Sequence, residues 1–346
     1  MESPIVKAAV VQAAPVVFDV ARTLDKLADL TADAARRGAE LVVFPEAFVS
    51  AYPKGLDFGA RLGMRSPEGR EDFRRYFESA IDLPSPESEA IGRAARSAKA
   101  HLVVGVMERA GGTLYCTALM YGPDGSLLAK HRKLMPTALE RLVWGFGDGS
   151  TISVVDTPLG RLGSVICWEN YMPLLRMAMY AKGVQLYCAP TADDRPTWLP
   201  TMQTVALEGR CFVLSACQYL TRGDCPPDYA AIQGDEPSTV LMRGGSCIVG
   251  PLGQVLVQPD FTGETIQLAE LDRRDIARGK YDFDVTGHYA RPDVFRLHVN
   301  ERPQPAVVSN STLRPMSAAV LASSITAAGI TPLPPTVYPG IDQPTL

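Results

Sequence analysis

The chain has 346 residues, 46% of them hydrophobic, and a formal net charge of −4. This length and apolar content are enough for one large α/β domain. The slightly acidic balance, without a Lys/Arg block, argues against nucleic acid as a partner. No run of about 18 uninterrupted apolar residues occurs, so we expect no membrane span. The apolar N-terminal stretch is interrupted at Lys7 and lacks a basic leader, so it predicts a strand rather than a signal peptide.

The first half of the chain alternates between strand and helix patterns. Residues 21–37 predict a helix, because Leu24, Leu27 and Leu30 fall on one face and Gly38 follows as a stop signal. The other predictions in this half are buried strands at 7–12, 40–46 and 101–108, a helix at 86–99, and two strands at 114–121 and 126–133. The turn GPDG joins the last two strands and is a strong hairpin signal.

The second half continues in the same way. Predicted strands lie at 151–157, 160–168, 184–190, 210–219, 245–251, 254–259 and 264–272, and predicted helices lie at 172–183, 197–209 and 272–279. Buried strands that alternate with helices are typical of a layered α/β fold. The consecutive hairpins add antiparallel pairing, which disfavours a purely parallel, doubly wound sheet.

The chain changes character near Pro303. From there to the C-terminus the only charged residues are Arg314 and Asp342, while eight prolines occur. Such a stretch does not easily build its own core. We therefore predict one domain over residues 1–302 and a Pro-rich, low-charge tail over 303–346, which is either disordered or in contact with a neighbouring subunit.

The cysteines favour a reducing compartment. There are seven, an odd number, and no CxxC pair occurs. A disulfide framework or a zinc site is therefore not expected, and the cytoplasm fits best. Cys225 lies in a Gly/Asp/Pro loop and is predicted to be exposed. Five others sit in apolar runs and are expected to be small buried hydrophobic residues, namely Cys116, Cys188, Cys211, Cys217 and Cys247.

Three reactive side chains each follow a strand-like apolar run. They are Glu46 in LVVFPEAF, Lys133 in HRKLMPT and Cys167 in GSVICWENYMPL. A cation near a thiol favours the thiolate, and a carboxylate can take the thiol proton and later activate water. The set suits hydrolysis at an electrophilic carbon bound to nitrogen. Taken singly, each also has an ordinary interpretation: Glu46 as a cap, Lys133 as a solvated charge and Cys167 as a core residue. Spacing alone does not prove that the three side chains meet.

Competing constellations are weaker. A Cys–His hydrolase would need a histidine near Cys167, and His131 alone adjoins a candidate segment, where an orienting role is the better interpretation. No GxSxG elbow, dinucleotide-binding fingerprint or Walker-type loop occurs.

At these residues the chain resembles the nitrilase family, within the wider carbon–nitrogen hydrolase superfamily. The resemblance covers most of residues 5–300 and rests on FPEAF, HRKLMPTALERLVWGFGDGS, CWENYMPL, YAKGVQLYCAPTAD and GHYARPDVF. It implies a four-layer α-β-β-α sandwich. It also implies a catalytic triad of Glu46 as general base, Lys133 as electrophilic donor and Cys167 as nucleophile. Glu140, seven residues after Lys133, matches a second glutamate of the family, although from the residues alone it is equally a surface charge.

The resemblance implies a nitrilase that converts an organic nitrile to a carboxylic acid and ammonia without a metal or organic cofactor. An amidase or carbamoylase with the same triad is the nearest alternative. A catalytically silent scaffold and a cyanide-hydrolysing enzyme are more distant ones. Candidate substrate-binding residues stand on or beside the predicted strand exits, namely Tyr52, Trp168, Pro190, Thr191 and Trp198.

The resemblance also implies assembly. Members of the family form dimers that often build helical filaments, and we expect a homo-oligomer here. The polar loop at 222–236 and the tail are the segments predicted to make such contacts.

Overall fold

The computed structural model describes residues 4–307 of the chain. Within this range the helices are α1 (Val20–Arg36), α2 (Pro67–Glu78), α3 (Pro86–Ala98), α4 (Pro173–Ala181), α5 (Trp198–Gly209) and α6 (Arg274–Lys280). Short 3₁₀ helices occur at Ala138–Leu142, Gly149–Thr151, Cys167–Tyr171 and Arg222–Asp224.

The strands of the N-terminal half are β1 (Ile5–Gln12), β2 (Leu41–Val43), β3 (Ala60–Arg61), β4 (Met64–Arg65), β5 (His101–Ala110), β6 (Thr113–Tyr121) and β7 (Leu127–Arg132). Those of the C-terminal half are β8 (Val154–Val155), β9 (Leu162–Ser164), β10 (Leu186–Cys188), β11 (Phe212–Ser215), β12 (Tyr219–Thr221), β13 (Val240–Arg243), β14 (Cys247–Val249), β15 (Val255–Val257) and β16 (Thr265–Asp272).

Two six-stranded mixed sheets form the centre of the fold. The first has the order β16-β1-β2-β5-β6-β7 and the second the order β15-β14-β11-β10-β9-β8. β1, β2 and β5 run parallel, as do β9, β10 and β11, while the hairpin β6–β7 and the pair β14–β15 are antiparallel. Mixed sheets of this kind agree with the prediction from the hairpin signals.

The alternation of side chains along the central strands separates three apolar layers. In β1, Ala9 and Val11 face α1 and α3, whereas Ala8 and Val10 face the second sheet. The layer between the sheets also holds Phe212 and other residues of β9 to β11. A third layer joins the outer face of the second sheet to α4 and α5. Because every central strand is covered on both faces, the strands read as continuous apolar runs in the sequence. The α-β-β-α sandwich is thereby confirmed.

A close backbone crossing positions the segment that follows β2. Phe44 and Val49 donate backbone hydrogen bonds to the carbonyls of Val103 and Gly105 on β5, at 2.8 and 3.1 Å. A Cβ added at Gly105 would lie 2.2 Å from the carbonyl oxygen of Pro45 and 2.7 Å from Cα of Glu46. Only glycine admits this approach, so Gly105 fixes where Glu46 stands.

Most predicted elements are confirmed, but one helix and two strand pairs were missed, and the predicted exposure of Cys225 was wrong. α2 was missed because its sequence is mainly polar, and the pairs β3–β4 and β12–β13 were missed because their strands are too short to show a periodic pattern. The loop at 222–236 does lie between two strands, β12 and β13. Cys225 within it is buried, not exposed, because it packs in an apolar cluster with Val17 and Tyr229.

Contacts divide the chain into Met1–Pro303 and Gln304–Leu346. The predicted tail lies outside the described residues except for 303–307, so its character stays a prediction. No helix within residues 4–307 has the length and apolarity needed to cross a bilayer.

Candidate active site

The structure brings the three reactive side chains together at the exits of three strands. Glu46 follows β2, Lys133 follows β7, and Cys167 follows β9. Nζ of Lys133 donates to Oε1 of Glu46 at 2.6 Å, and both side chains are fully buried. The Cys167 thiol is buried beside them. The Glu46 carboxylate raises the pKa of this thiol, and the Lys133 ammonium lowers it. The sequence patterns therefore identified a single cluster.

Glu46 keeps one carboxylate oxygen open. Oε1 receives the Lys133 ammonium and, at 3.5 Å, the thiol of Cys116. Oε2 is buried and has no hydrogen-bond partner among the described residues. Gln218 holds the backbone by donating to the Glu46 carbonyl at 2.8 Å. A fixed, buried carboxylate with one oxygen free of hydrogen bonds is suited to accept a proton as a general base.

Burial raises the pKa of Glu46, and the Lys133 ammonium lowers it only in part. A higher pKa makes a carboxylate a better proton acceptor near neutral pH. Burial alone would lower the pKa of Lys133, but the carboxylates of Glu46 and Glu140 raise it well above its ordinary value. Lys133 is therefore an ammonium in the resting site and can stabilise a developing negative charge.

Glu140 belongs to this cluster and is no surface charge. Its Oε2 accepts from Nζ of Lys133 at 2.7 Å and from the backbone N–H of Thr137 at 2.6 Å. Its Oε1 accepts from the hydroxyl of Tyr52 at 2.7 Å. The carboxylate thus caps the 3₁₀ helix Ala138–Leu142 and, with Glu46, holds the lysine ammonium between two carboxylate contacts.

Cys167 sits at a sharp turn between β9 and the 3₁₀ helix Cys167–Tyr171. Its φ is 50°, in the left-handed region that residues other than glycine rarely adopt. Three bonds hold the turn. The Cys167 N–H donates to the carbonyl of Pro190 at 2.8 Å, and Nδ2 of Asn170 donates to the carbonyls of Cys167 and Val165 at 2.7 and 3.1 Å. Strain of this sort, held by its surroundings, is characteristic of functional positions.

The surroundings of Cys167 favour its protonated form. Burial raises the pKa of Cys167, Glu46 raises it further, and Lys133 opposes them. The hydroxyl of Thr191 donates to Sγ at 3.2 Å and orients it. Two carboxylates stand against one ammonium here, so a free thiolate is not favoured. The free oxygen of Glu46, in the same buried cluster, is an acceptor that could take the thiol proton.

A cavity of about 230 Å³ opens above the thiol. Its lining includes Tyr52, Lys54, Thr137, Glu140, Cys167, Trp168, Ala192, Asp193, Asp194 and Arg195. Trp168 is 41% exposed at the mouth, and its Nε1 donates to Asp193 at 2.8 Å. Arg195 pairs with the same carboxylate and stacks 4.8 Å from the Trp168 ring. The mouth of the cavity is thus a bonded unit of three side chains.

The five predicted substrate-binding residues fall in different places. Tyr52 and Trp168 line the cavity, and Thr191 touches the thiol. Pro190 acts through its carbonyl, which fixes the backbone of Cys167. Trp198 is 2% exposed and donates to Ser215 at 2.8 Å, within the apolar layer under α5, so the structure does not bring it to the cavity.

Several lining residues escaped the sequence reasoning. Thr191 was predicted, but Ala192 and Asp193 entered only as the end of the motif YAKGVQLYCAPTAD, and Asp194 and Arg195 were not predicted at all, although three charges shortly after a buried strand were a usable signal. Lys54 carried no signal of its own. His131 does not complete a Cys–His pair, because its ring nitrogens contact the Thr151 carbonyl and Glu169.

Within residues 4–307 no group of three or more His, Cys, Asp or Glu side chains is arranged to hold a metal ion. All seven cysteines of the chain, which lie in that range, are free thiols.

A two-sheet sandwich with a buried carboxylate, ammonium and thiol at its strand exits defines a hydrolase of carbon–nitrogen bonds. The chain belongs to the carbon–nitrogen hydrolase family, whose model matches residues 7–281.

Among its relatives, the chain is 60% identical over 305 residues to an aliphatic nitrilase of Sinorhizobium fredii, covering 88% of this chain and 99% of the relative. It is 53% identical over 314 residues to a bifunctional nitrilase/nitrile hydratase of Lupinus angustifolius, covering 89% and 90% of the two chains. A crystal structure of a carbon–nitrogen hydrolase from Helicobacter pylori superposes with a TM-score of 0.69 at 21% identity, covering 85% of this chain and 98% of that one.

Proposed function

We propose that the protein is a nitrilase that hydrolyses an organic nitrile to the carboxylic acid and ammonia. The observation that carries the proposal is the fully buried contact of 2.6 Å between Glu46 and Lys133 beside the Cys167 thiol. It is supported by relatives of high identity that are named nitrilases. The cluster supplies a nucleophile, a proton acceptor and a fixed positive charge, which are the three groups that addition to a nitrile needs.

In the first step Cys167 is the nucleophile. Its sulfur bonds to the nitrile carbon while Glu46, the general base, takes the thiol proton. One C–N π bond breaks, and its electron pair moves to nitrogen, where Lys133 stabilises the charge and donates a proton. Glu46 returns its proton to the lysine, which leaves both groups as they began. The product of this step is a covalent thioimidate.

Water then adds to the thioimidate carbon: Glu46 takes one water proton, Lys133 protonates the imine nitrogen, and Glu46 returns its proton to the lysine, which gives a tetrahedral intermediate with a hydroxyl and an amino group. Glu46 next moves the hydroxyl proton to the amino group, so that the C–N bond breaks, ammonia leaves and the C=O bond of a thioester forms. A second water, activated in the same way, releases the carboxylic acid and restores the thiol. Glu140 serves this cycle by holding the Lys133 ammonium in place, together with Tyr52.

The tetrahedral intermediate has a second exit. If the C–S bond breaks before the C–N bond, the thiolate leaves and an amide is released. A relative named as a bifunctional nitrilase/nitrile hydratase makes this partition a specific question for the chain. The amide fraction is therefore measured together with the acid.

The cavity supports a small substrate. Its volume of about 230 Å³ lies below the usual range of drug-sized ligand pockets. Tyr52, Trp168 and Thr191 bind the group next to the nitrile, while the Pro190 carbonyl holds the backbone of Cys167. A neighbouring hollow of about 330 Å³ shares Tyr52 and Glu140 with the cavity, and its lining is mainly apolar. It has room for a longer apolar chain, which favours an organic nitrile over cyanide.

We extend the proposal to assembly and location. The protein works as a homo-oligomer of dimers, with filament formation through the 222–236 loop and the tail, and acts in the cytoplasm, as its free thiols suggest. A monomeric mass in light scattering at micromolar concentration would rule out the assembly.

The test of function is ammonia release from a nitrile panel, with acid and amide separated by chromatography. The panel pairs short aliphatic, aryl and cyanide substrates with the matching amides, and runs the wild type beside Cys167→Ala. We expect turnover of nitriles that is lost in the variant. Turnover of amides alone would assign the chain to the amidases or carbamoylases, and no turnover at all would favour a silent scaffold.

A further inference from the structure

Behind the active site, His131 and Glu169 form a buried pair. Their side chains are 1% and 0% exposed, and Nε2 of His131 lies 3.1 Å from Oε2 and 3.3 Å from Oε1 of Glu169. The other ring nitrogen, Nδ1, lies 3.1 Å from the carbonyl oxygen of Thr151. His131 is the next but one residue before Lys133, and Glu169 the next but one after Cys167, yet neither lines the cavity.

The contacts fix the number of protons in the pair. A carbonyl oxygen only accepts, so Nδ1 must carry a proton. The contact between Nε2 and the carboxylate then needs a second proton, because two acceptors repel at this distance. The carboxylate also accepts from the backbone N–H groups of Leu134 and Ile166, at 2.6 and 3.0 Å, one on each oxygen, so a carboxyl proton on either oxygen would face a donor. The proton therefore belongs on His131, as an imidazolium beside a carboxylate.

Glu169 also connects two of the active-site segments. Leu134 directly follows Lys133, and Ile166 directly precedes Cys167. One carboxylate thus holds both backbones, with a separate oxygen for each N–H. If it turned or moved, the ammonium and the thiol would move relative to each other.

We propose that the protonated His131 and the Glu169 carboxylate form a positioning pair, which sets the placement of Lys133 relative to Cys167 for nitrile hydrolysis. This rests on the proposed function, since it assigns how that reaction's groups are held. Neither residue touches the substrate, so they are positioning residues and not catalytic ones.

The charged side chains near the pair are bound to other partners. Lys130 and Arg132, on either side of His131 in the strand, point to the other face and pair with Glu108. From β10, Tyr187 faces Glu169, and burial raises the pKa of its hydroxyl well above the ordinary value. Beyond it, Arg176 is paired with Glu208. No cation among the described residues replaces His131 as the partner of Glu169.

Loss of the proton gives the pair a pH dependence. Burial would lower the pKa of His131, but Glu169 and the Thr151 carbonyl raise it above its ordinary 6.5. Its contribution is complete below pH 6.5 and is lost as pH rises through the raised pKa. Burial raises the pKa of Cys167 above its ordinary 9.0, and the nearby carboxylates raise that of Lys133 above its ordinary 10.5. We therefore expect the pair to give the first alkaline decline in kcat.

The experiment combines a direct view of the proton with kinetics. Magic-angle-spinning ¹⁵N spectra of the ¹⁵N-histidine-labelled full chain work for an assembly of any size. At pH 7 we expect one buried imidazolium with both nitrogens protonated, and we expect it to disappear in His131→Asn. The exposed His288→Asn is the matched control and should leave this signal and the kinetics unchanged.

Glu169→Gln tests the positioning. Its amide can donate to a neutral His131 but leaves one of the two backbone N–H groups without an acceptor. We expect kcat to fall about 10²-fold, as for a misplacement near 1 Å. KM should stay within about threefold, since no substrate contact is lost. The alkaline decline should move or vanish. The rate of Cys167 alkylation by iodoacetamide, followed by peptide mass spectrometry, reports the same displacement without any nitrile.

A neutral His131 at pH 7 in the wild type would overturn the inference. So would a Glu169→Gln variant with unchanged kcat, alkaline limb and alkylation rate. If the wild type turns over no nitrile, the function fails, while the spectra and the alkylation rates still judge the pair.

Discussion

Gly105 sets the position of the proposed general base, and replacing it is a sharp test of the geometry. In Gly105→Ala the new methyl group would lie 2.2 Å from the Pro45 carbonyl oxygen, 2.6 Å from the Ala47 nitrogen and 2.7 Å from Cα of Glu46. All three atoms are backbone, so no flexible side chain can yield. Ordinary contact begins near 3.4 Å. The segment that carries Glu46 must therefore retreat from β5 by about 1 Å.

The size of the effect follows from that displacement. Overpacking a filled interior costs about 1–3 kcal/mol of unfolding free energy. The contact of 2.6 Å between Glu46 and Lys133 would lengthen beyond hydrogen-bond range. Misplacing a reacting group by 1 Å can lower kcat about 10²-fold. We expect both effects together in Gly105→Ala.

The assay is kcat on a nitrile that the wild type hydrolyses, together with the midpoint of urea unfolding. Gly112→Ala is the matched control, since a Cβ there meets nothing within 4 Å and its φ is not positive. It should behave as the wild type does. A Gly105→Ala protein with wild-type kcat would refute the reasoning, because Glu46 would then tolerate a displaced backbone.

Three further changes test the charged groups. Lys133→Met should abolish turnover and destabilise the fold by about 3–5 kcal/mol in urea unfolding at pH 7, since two buried carboxylates lose their counter-ion. The double variant with Glu46→Gln added should regain part of that stability but no activity. Tyr52→Phe removes one bond to Glu140, and kcat should fall about tenfold with an unchanged urea midpoint, a change equal to about 1.4 kcal/mol. At Glu108, burial raises the pKa, but bonds from an arginine and a lysine lower it overall. The stability that the Glu108 carboxylate contributes is therefore present above about pH 4.3 and is lost as pH falls through the folded pKa. Glu108→Gln should lose less melting temperature on acidification than the wild type, and an equal loss in the two proteins would contradict this.

The sequence predicted the sheets and the cluster because the relevant signals are local. Val42 and Val43 sit in an apolar run that both faces of the sheet require, and Glu46 stands where that run ends. The same reading found Lys133 and Cys167. The resemblance to a known family added the roles, since no periodicity tells a nucleophile from a buried thiol.

What the sequence did not reveal depends on contacts between distant segments. Gly105 is unremarkable in its strand until the backbone of Pro45 crosses it. The two backbone bonds that Glu169 accepts come from segments more than thirty residues apart. Trp198 looked like a cavity residue by its place after a strand, but its side chain turns toward the core, where Ser215 accepts its N–H. Direction of this kind is set by packing and not by spacing.

The most direct test of the central claim is the covalent state of Cys167 during turnover. The protein is mixed with a short aliphatic nitrile and quenched in acid within one turnover, and the peptide that contains Cys167 is weighed by mass spectrometry. The other six cysteines serve as internal controls. We predict an adduct with the mass of the thioimidate or the thioester on Cys167 alone, absent in Cys167→Ala. Nitrile turnover with every thiol unmodified would contradict the account, and so would nitrile turnover by Cys167→Ala.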